Sequence, residues 1–397
     1  MRLFILDSGL ADKSGHDFLF TRLVGAEAQR RGIEVRALCH KDFPDGEDYP
    51  FEPVRIFDSS YYYDIGHDPV TIPVLSMRKL NADFLTAMDA IAKDQFGKDD
   101  LIWVPSINQR NLAGLKQWLL AFDPAARPAV LINLLFPSGV HECRGEVTVY
   151  DSLRAVQYHR ILAGPDFGPH VHLASMGPVV DGYRYLSRYP IVRHPLIVDL
   201  ARPVSPPAPQ TMLLFAGNAM KEKGIEHIPE LVGLLARALP DWKLLVQAND
   251  TTHYAKKEPV DTLRAMRGNI AALELQTGRI DDEDYHRLID TAHVIVLPYD
   301  AQAYRYQTSG VLWEAIAAGR VIGLPAGTNI EEDAASWEAD YVALDTSNAQ
   351  SIADGLIGAL ERGPPDRELA EAATRRFRAE NGAGPFLDML LALRRTG

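Results

Sequence analysis

The sequence predicts an α/β protein built as two doubly wound domains, each a parallel sheet wrapped by helices. Three observations predict it. Short apolar runs alternate with segments of helical period along most of the chain. A proline-rich stretch, RPVSPPAPQ at 202–210, interrupts that alternation near the middle and suits neither a helix nor a central strand. At 397 residues the chain is also better accommodated by two domains than by one.

The elements of the first half follow in order. Leu3–Leu6 is a short apolar strand, followed by the polar loop DSGLADKSGHD. Phe18 to Arg31 has helical period and stops at Gly32, and IEVRALC is the next strand, which completes a parallel β-loop-α-β unit. Phe43 to Pro73 is rich in Tyr, Asp and Pro and carries little pattern. A helix is expected over Leu80–Ala92, a strand at Leu101–Val104, the loop PSINQRN, and a helix around Leu112–Ala121. The strand AVLINLLF, the helix SLRAVQYHRIL and the short strand VHLAS complete the half, with ligand-binding loops expected at one end of the sheet.

The second half repeats the design: TMLLFAG strand, IEHIPELVGLLARAL helix, KLLVQAN strand, DTLRAMRG helix, LELQ strand, DEDYHRLIDTA helix and VIVLP strand. The expected domains are 1–196 and 211–378, joined by the linker 197–210. The segment 379–397 is expected as a final helix, around Pro385–Arg395, that packs back on the first domain.

The formal charge of −12, with no run of Lys or Arg, argues against a nucleic-acid partner. No apolar segment is long enough to span a bilayer, and the chain opens on a strand, MRLFILD, rather than a basic and apolar leader. The expected location is therefore cytoplasmic, with peripheral docking on the inner face of a membrane left open. Cys39 and Cys143 are the only cysteines and supply neither a disulfide framework nor a zinc spacing.

Three loops of the second half carry the chemistry. The stretch YRYQTSGVLWEAIAAGRVIG, Tyr304 to Gly323, follows a buried strand. Thr308, Ser309 and Gly310 offer a hydroxyl cap and a glycine before a short helix closed by Gly319. A helix start of this kind is an anion cradle. Glu314 lies one turn in, where a carboxylate can accept hydrogen bonds from two neighbouring hydroxyls such as those of a ribose. An ordinary helix with a solvated Glu is an equal reading of that motif alone. GNAMKEKG, Gly217–Gly224, has glycines for tight turns and a lysine, Lys223, able to reach a phosphate; a solvated Lys-Glu-Lys face is the plain alternative. QTGRIDDEDY, Gln276–Tyr285, leaves its strand through Gly278, Arg279 and Ile280, which could lie along a planar base, while Asp281 to Asp284 cap the next helix. Arg305 adds a second phosphate partner.

Taken together, these blocks resemble the second domain of GT-B-fold glycosyltransferases, above all the large family four of nucleotide-sugar enzymes. Glu314-Ala315-Ile316-Ala317-Ala318-Gly319 matches the family's Glu-Ala-x-Ala-x-Gly helix, Glu222-Lys223-Gly224 its Glu-Lys-Gly, and Gly278-Arg279-Ile280 its Gly-x-hydrophobic element. The resemblance covers most of Thr211–Glu331. It implies two Rossmann-like domains facing a cleft, with the donor on the second and the acceptor on the first. It further implies that Glu314 binds the nucleotide ribose and Lys223 the diphosphate. Ser309 and Gly310 would supply phosphate-binding groups, and 278–280 would line the base. Two departures stand out: the family's phosphate arginine is Asn218 here, and its sugar-binding glutamate falls on Tyr306. Some relatives carry a Tyr-x-x-x-Thr-Ser-Gly form of this loop.

In the first half, Ser14-Gly15-His16 fits the family's glycine-rich loop, so that Gly15 would let the backbone approach a phosphate or sugar and His16 would touch the acceptor. A helix-capping role suits the same residues equally. His141 is the candidate for the family histidine that contacts the donor sugar, and His194 before Pro195 reads as a hinge residue. His141-Glu142-Cys143 lacks a fourth ligand for a metal. The implied activity is a retaining, metal-independent transfer of a sugar from a nucleoside diphosphate to a glycan, lipid-linked or small-molecule acceptor hydroxyl, with no cofactor. A nucleotide-sugar epimerase of the same fold and a catalytically silent glycosyltransferase-like binding protein are the alternatives.

Overall fold

The computed structural model describes residues 1–397 apart from 14, 47, 61–71, 92, 124–125, 144–145, 165, 253–254, 362–366 and 395–397, and leaves out the side chains at 72–76, 94, 143 and 367 as well. The chain forms two compact units, Met1–Val198 with Asn381–Gly397, and Asp199–Glu380. The stretch 199–210, expected as a linker, is counted within the second unit.

The first unit runs β1 (Arg2–Leu6), α1 (Gly15–Arg30), β2 (Glu34–His40), β3 (Glu52–Phe57), α2 (Ile72–Asp89), β4 (Leu101–Val104), α3 (Gln109–Leu120) and β5 (Ala129–Asn133). A hairpin of β6 (Val140–Cys143) and β7 (Glu146–Val149) follows, then α4 (Ser152–Leu162), β8 (Val171–Ser175), α5 (Val179–Arg184) and β9 (Ile191–Arg193). Seven strands make one sheet in the order β3-β2-β1-β4-β5-β8-β9, all pairs parallel. Burial on both faces explains why β4 and β5 read as unbroken apolar runs. Trp103, Trp118, Tyr158 and Tyr183 fill the core.

Two features depart from the sequence expectation. The stretch 43–73, read as patternless, contains the edge strand β3, whose EPVRIF is only partly buried and so lacks a clean apolar signal. The segment between AVLINLLF and SLRAVQYHRIL, where the sequence suggested no element, folds into the β6–β7 hairpin with His141 opposite Thr148.

The second unit runs β10 (Thr211–Asn218), α6 (Ile228–Ala238), β11 (Lys243–Asn249), α7 (Lys257–Met266), β12 (Leu273–Thr277), α8 (Asp282–Thr291), β13 (Val294–Val296) and α9 (Gly310–Ala317). It closes with β14 (Val321–Pro325), α10 (Asn329–Ser336), β15 (Tyr341–Leu344), α11 (Ala349–Glu361) and α12 (Arg367–Glu380). Its six parallel strands lie in the order β12-β11-β10-β13-β14-β15. α6 shows why the helices pack where they do: Ile228, Leu231, Val232 and Leu235 share one face and are all fully buried.

The chain ends in α13 (Ala383–Leu393), which belongs to the first unit. There the Phe386 ring lies 4.9 Å from that of Trp103 and 5.4 Å from that of His194. Burial pushes the His194 pKa down to about 4, its Nδ1 lies 2.8 Å from the Pro195 carbonyl, and its ring is core packing. Among the described residues no helix is long and apolar enough to cross a membrane.

Candidate functional site

In the second sheet β10 pairs with β11 on one side and β13 on the other, so successive crossovers leave in opposite directions from this point. Loops at the carboxyl ends of two such strands diverge and open a crevice, the usual ligand position in a doubly wound sheet. The loop after β10 is held there by close packing. Gly224, at φ +75°, lies so near the loop after β13 that a Cβ would sit 1.8 Å from the Pro298 carbonyl oxygen. The Asp300 amide also donates to the Glu222 carbonyl at 3.0 Å. Between these anchors Lys223 turns inward, half-buried, with its ammonium 6.0 Å from the centroid of the Tyr299 ring. Burial lowers its pKa, against the pull of Glu222 and Glu314.

Ser309 caps α9, its hydroxyl accepting the Leu312 N–H at 3.3 Å, as the Thr-Ser-Gly sequence predicts. The Tyr299 hydroxyl is 3.4 Å from the same oxygen, so Tyr299 spans from the lysine to the helix start. A Cβ on Gly310 would meet no atom within 4 Å, which leaves open space before the first N–H groups of the helix.

One turn on, the Glu314 carboxylate accepts the Tyr285 hydroxyl at 2.6 Å. Burial raises the Glu314 pKa to about 7, while Tyr285 and Arg202 restrain the rise. Burial, then the Glu314 charge, pushes Tyr285 well above the usual tyrosine range, so it stays a donor.

On the other side of β10 the end of β11 joins the end of β10 to the turn after β12. Gln247, 3% exposed, accepts the Gly217 N–H at 2.7 Å and donates to the Gly278 carbonyl at 3.0 Å. Gly217 and Gly278 both hold left-handed backbone, at φ +117° and +80°. The Asn218 amide oxygen accepts from Asn249 at 2.8 Å. Arg279 is exposed beside the half-buried Ile280, and Asp281 caps α8 by accepting the Asp284 N–H at 2.7 Å.

The site residues predicted from sequence therefore separate into groups. Lys223, Ser309, Gly310 and Glu314 gather around the β10 and β13 loops, and Gly278 is tied to Gly217 through Gln247. Thr308 is half-buried beside the cap. Arg305 is exposed, its guanidinium 5.6 Å from the ring centroid of the half-buried Tyr306. In the first unit, Gly15 opens α1 at φ +71° with no atom near its would-be Cβ. His16 Nε2 lies 3.3 Å from Asp17 Oδ1. Ser14 and the Cys143 side chain lie outside the described residues, and His141 is half-buried on β6. Among the described residues no group of three or more His, Cys, Asp or Glu is placed to hold a metal ion.

Tyr285, Tyr299 and Gln247 were not singled out in the sequence. Only Gln247 left a trace, as the polar residue within the run LLVQA, between the polar ends Lys243 and Asn249 of β11.

Neither a scan of protein-family models nor a search of curated proteins matches this chain. Solved structures do match, over whole chains. A sucrose-phosphate synthase from Thermosynechococcus elongatus superposes with a TM-score of 0.69 at 18% identity, covering 100% of this chain and 98% of its own. The chain has the GT-B glycosyltransferase fold. WaaG, a glycosyltransferase involved in lipopolysaccharide biosynthesis, shares this fold with a TM-score of 0.58 at 14% identity, over 99% of both chains. A UDP-forming α,α-trehalose-phosphate synthase from Burkholderia xenovorans, in complex with glucose-6-phosphate, shares it at 0.64 and 13%, over 99% of this chain and 100% of its own. Identities this low carry the GT-B architecture and leave the chemistry to the residues.

Proposed function

We propose that this chain is a glycosyltransferase that moves a sugar from a nucleoside diphosphate donor to an acceptor hydroxyl. The observation that carries the reading is the convergence, at the β10–β13 crevice, of a desolvated lysine, an open helix start and a carboxylate one turn further on. Such a set matches the two halves of a nucleoside diphosphate. Lys223 and the start of α9 take the diphosphate, and Glu314 takes the ribose hydroxyls. The Gly278 turn then lies along the base.

Catalysis on this reading is electrostatic. As the bond from sugar to diphosphate breaks, negative charge grows on the leaving oxygen, and Lys223 with the N–H groups at Gly310 stabilises it. No divalent ion is required, because these groups supply the positive charge. Arg305 joins them once a ligand is bound. Tyr306, standing where the family's sugar-binding glutamate falls, meets the donor sugar. His16 and the loop at Gly15 face the acceptor, His141 meets the donor sugar, and transfer retains the anomeric configuration.

Two solved neighbours support the substrate class. One is a UDP-forming synthase in complex with glucose-6-phosphate, and another, from E. coli, is bound with UDP-2-fluoro glucose. A UDP-sugar donor and a sugar or sugar-phosphate acceptor are therefore the first pair to try. The test is a thermal-shift screen of UDP-, GDP-, ADP- and dTDP-sugars, followed by an assay of nucleoside diphosphate release with and without EDTA. Stabilisation by one donor and metal-free release support the reading. Failure of every donor to bind overturns it.

A further inference from the structure

The residues that surround the Glu314 carboxylate come from three separate parts of the second unit. Lys223 reaches it from the β10 loop, and Arg202 and Asp199 from the segment before β10. Asp282 and Tyr285 approach from the first turn of α8. Asp290 of α8 and Arg378 of α12 line the same small recess as Glu314, together with Ala317 and Ala318. The two arginines of that recess are already engaged. Arg202 pairs with Asp290, and Arg378 donates to the Leu200 carbonyl at 2.8 Å and the Ala317 carbonyl at 3.0 Å. Among the described residues, Tyr285 is the one that donates a hydrogen bond to the Glu314 carboxylate.

We infer that Tyr285 is the positioning residue of the nucleotide site: by donating to Glu314 Oε2 it fixes the carboxylate plane and turns Oε1 toward the ligand hydroxyls. This inference rests on the proposed reading of Glu314 as the ribose-binding group.

Four features carry it. The bond is 2.6 Å long, in the range of hydroxyl-to-carboxylate bonds in which the acceptor is charged. α8 is fixed at its start by the Asp281 cap, so the ring is presented from a rigid element rather than a loop. A glutamate side chain one turn into a helix otherwise keeps a broad terminal torsion, and a single donor on one oxygen removes that freedom. The same hydrogen bond favours the charged carboxylate, which is the form that accepts two hydroxyls. Lys223, Arg202, Asp199, Asp282, Asp290 and Arg378 are unchanged by removal of the Tyr285 hydroxyl, so a change in titration on its removal reports that bond.

The test uses the whole chain and Tyr285→Phe, which keeps the ring and deletes the donor. UDP, GDP, ADP and dTDP are titrated by calorimetry from pH 6 to pH 9, and the tightest binder is followed. For the wild type, affinity rises with pH as Glu314 ionises, with a midpoint near its pKa of about 7. For Tyr285→Phe the midpoint moves to higher pH, and affinity at neutral pH falls by about tenfold, the scale of one hydrogen bond to a charged group. Ionisation of the ligand is common to both proteins and cancels in their ratio. A loss of folded protein lowers the active fraction at every pH and leaves the midpoint in place.

Glu314→Gln in the same titration separates the two claims. If Glu314→Gln binds as tightly as the wild type, or if no nucleoside diphosphate binds, the ribose reading falls and the inference with it. If Glu314→Gln weakens binding while Tyr285→Phe leaves both midpoint and affinity unchanged, Glu314 stands and Tyr285 is overturned as its positioning residue.

Discussion

The ammonium of Lys223 lies against the bare α-carbon of Gly217, so close that a Cβ there would stand 3.1 Å from Nζ. The lysine thus occupies space that only glycine leaves, and Gly217 also needs its φ of +117°, which side chains rarely adopt. Gly217→Ala should therefore be destabilised by about 1–3 kcal/mol from backbone strain. It should also weaken nucleoside diphosphate binding beyond what the lost stability explains, because the lysine is displaced. Chemical denaturation and calorimetry on the same preparation check both parts. Wild-type affinity in a destabilised Gly217→Ala would show that the position of Lys223 does not matter to the ligand.

Gln247 is the second point at which geometry makes a demand. Its amide satisfies a donor at the end of β10 and an acceptor just past β12 while itself 3% exposed. Gln247→Leu leaves both backbone groups without that partner, and losing them should lower stability by at least about 2 kcal/mol. Urea unfolding with unchanged m-value is the readout. A variant as stable as the wild type would mean that water replaces the amide without loss.

The raised pKa of Glu314 carries a sign that can be measured without any ligand. Its carboxyl titrates near 7 in the folded chain against an ordinary value of 4.5, so between these limits the folded state holds the proton more tightly. Stability contributed by this group is present below pH 4.5 and is lost as pH rises toward 7. Glu314→Gln does not titrate. Its stability should therefore gain on that of the wild type from pH 5 to pH 8, with a ceiling of about 3 kcal/mol, and its melting temperature should rise relative to the wild type over the same range. The side chain keeps some contact with water, so the gain should fall short of that ceiling. A difference between the two proteins that is flat across this range would contradict the burial of Glu314.

With ligand present the preference reverses. Glu314→Gln should weaken nucleoside diphosphate binding by about 1.5–3 kcal/mol at pH 8, where the wild-type group is charged. Equal affinity there would remove Glu314 from the site.

How far the sequence reaches is visible in these residues. The caps at Ser309 and Asp281 were legible because capping is local and follows residue type at a fixed offset. The parallel strands were legible because burial on both faces leaves unbroken apolar runs. β3 was not, since an edge strand of partly buried residues carries no such run. Tyr285 and Tyr299 were not either: each acts on residues far along the chain, Tyr285 on Glu314 and Tyr299 between Lys223 and Ser309, and neither spacing marks a motif. Gln247 needed knowledge that β10 and β12 flank β11, which is a property of sheet order. Caps and strand patterning were readable because they are local, and the long-range contacts that position side chains were not.

Lys223 and Arg305 provide the sharpest separation between a site and a surface. Lys223 is half-buried with its pKa lowered by burial, so its charge is held at a loss that an anionic ligand would relieve. Arg305 is exposed over Tyr306 and has nothing to gain until a ligand draws it in. Lys223→Ala should slow release of nucleoside diphosphate by about 10²-fold, the usual effect of removing one preorganised donor. It should leave the melting temperature unchanged or slightly higher. Arg305→Ala should change stability by no more than about 0.5 kcal/mol. It should slow release to a similar extent only if both cations meet the same leaving group. In that case the double variant will depart from the sum of the single effects, because groups sharing one ligand couple. Additive effects would place Arg305 outside the diphosphate site, and a wild-type rate in Lys223→Ala would remove the electrostatic account of the reaction.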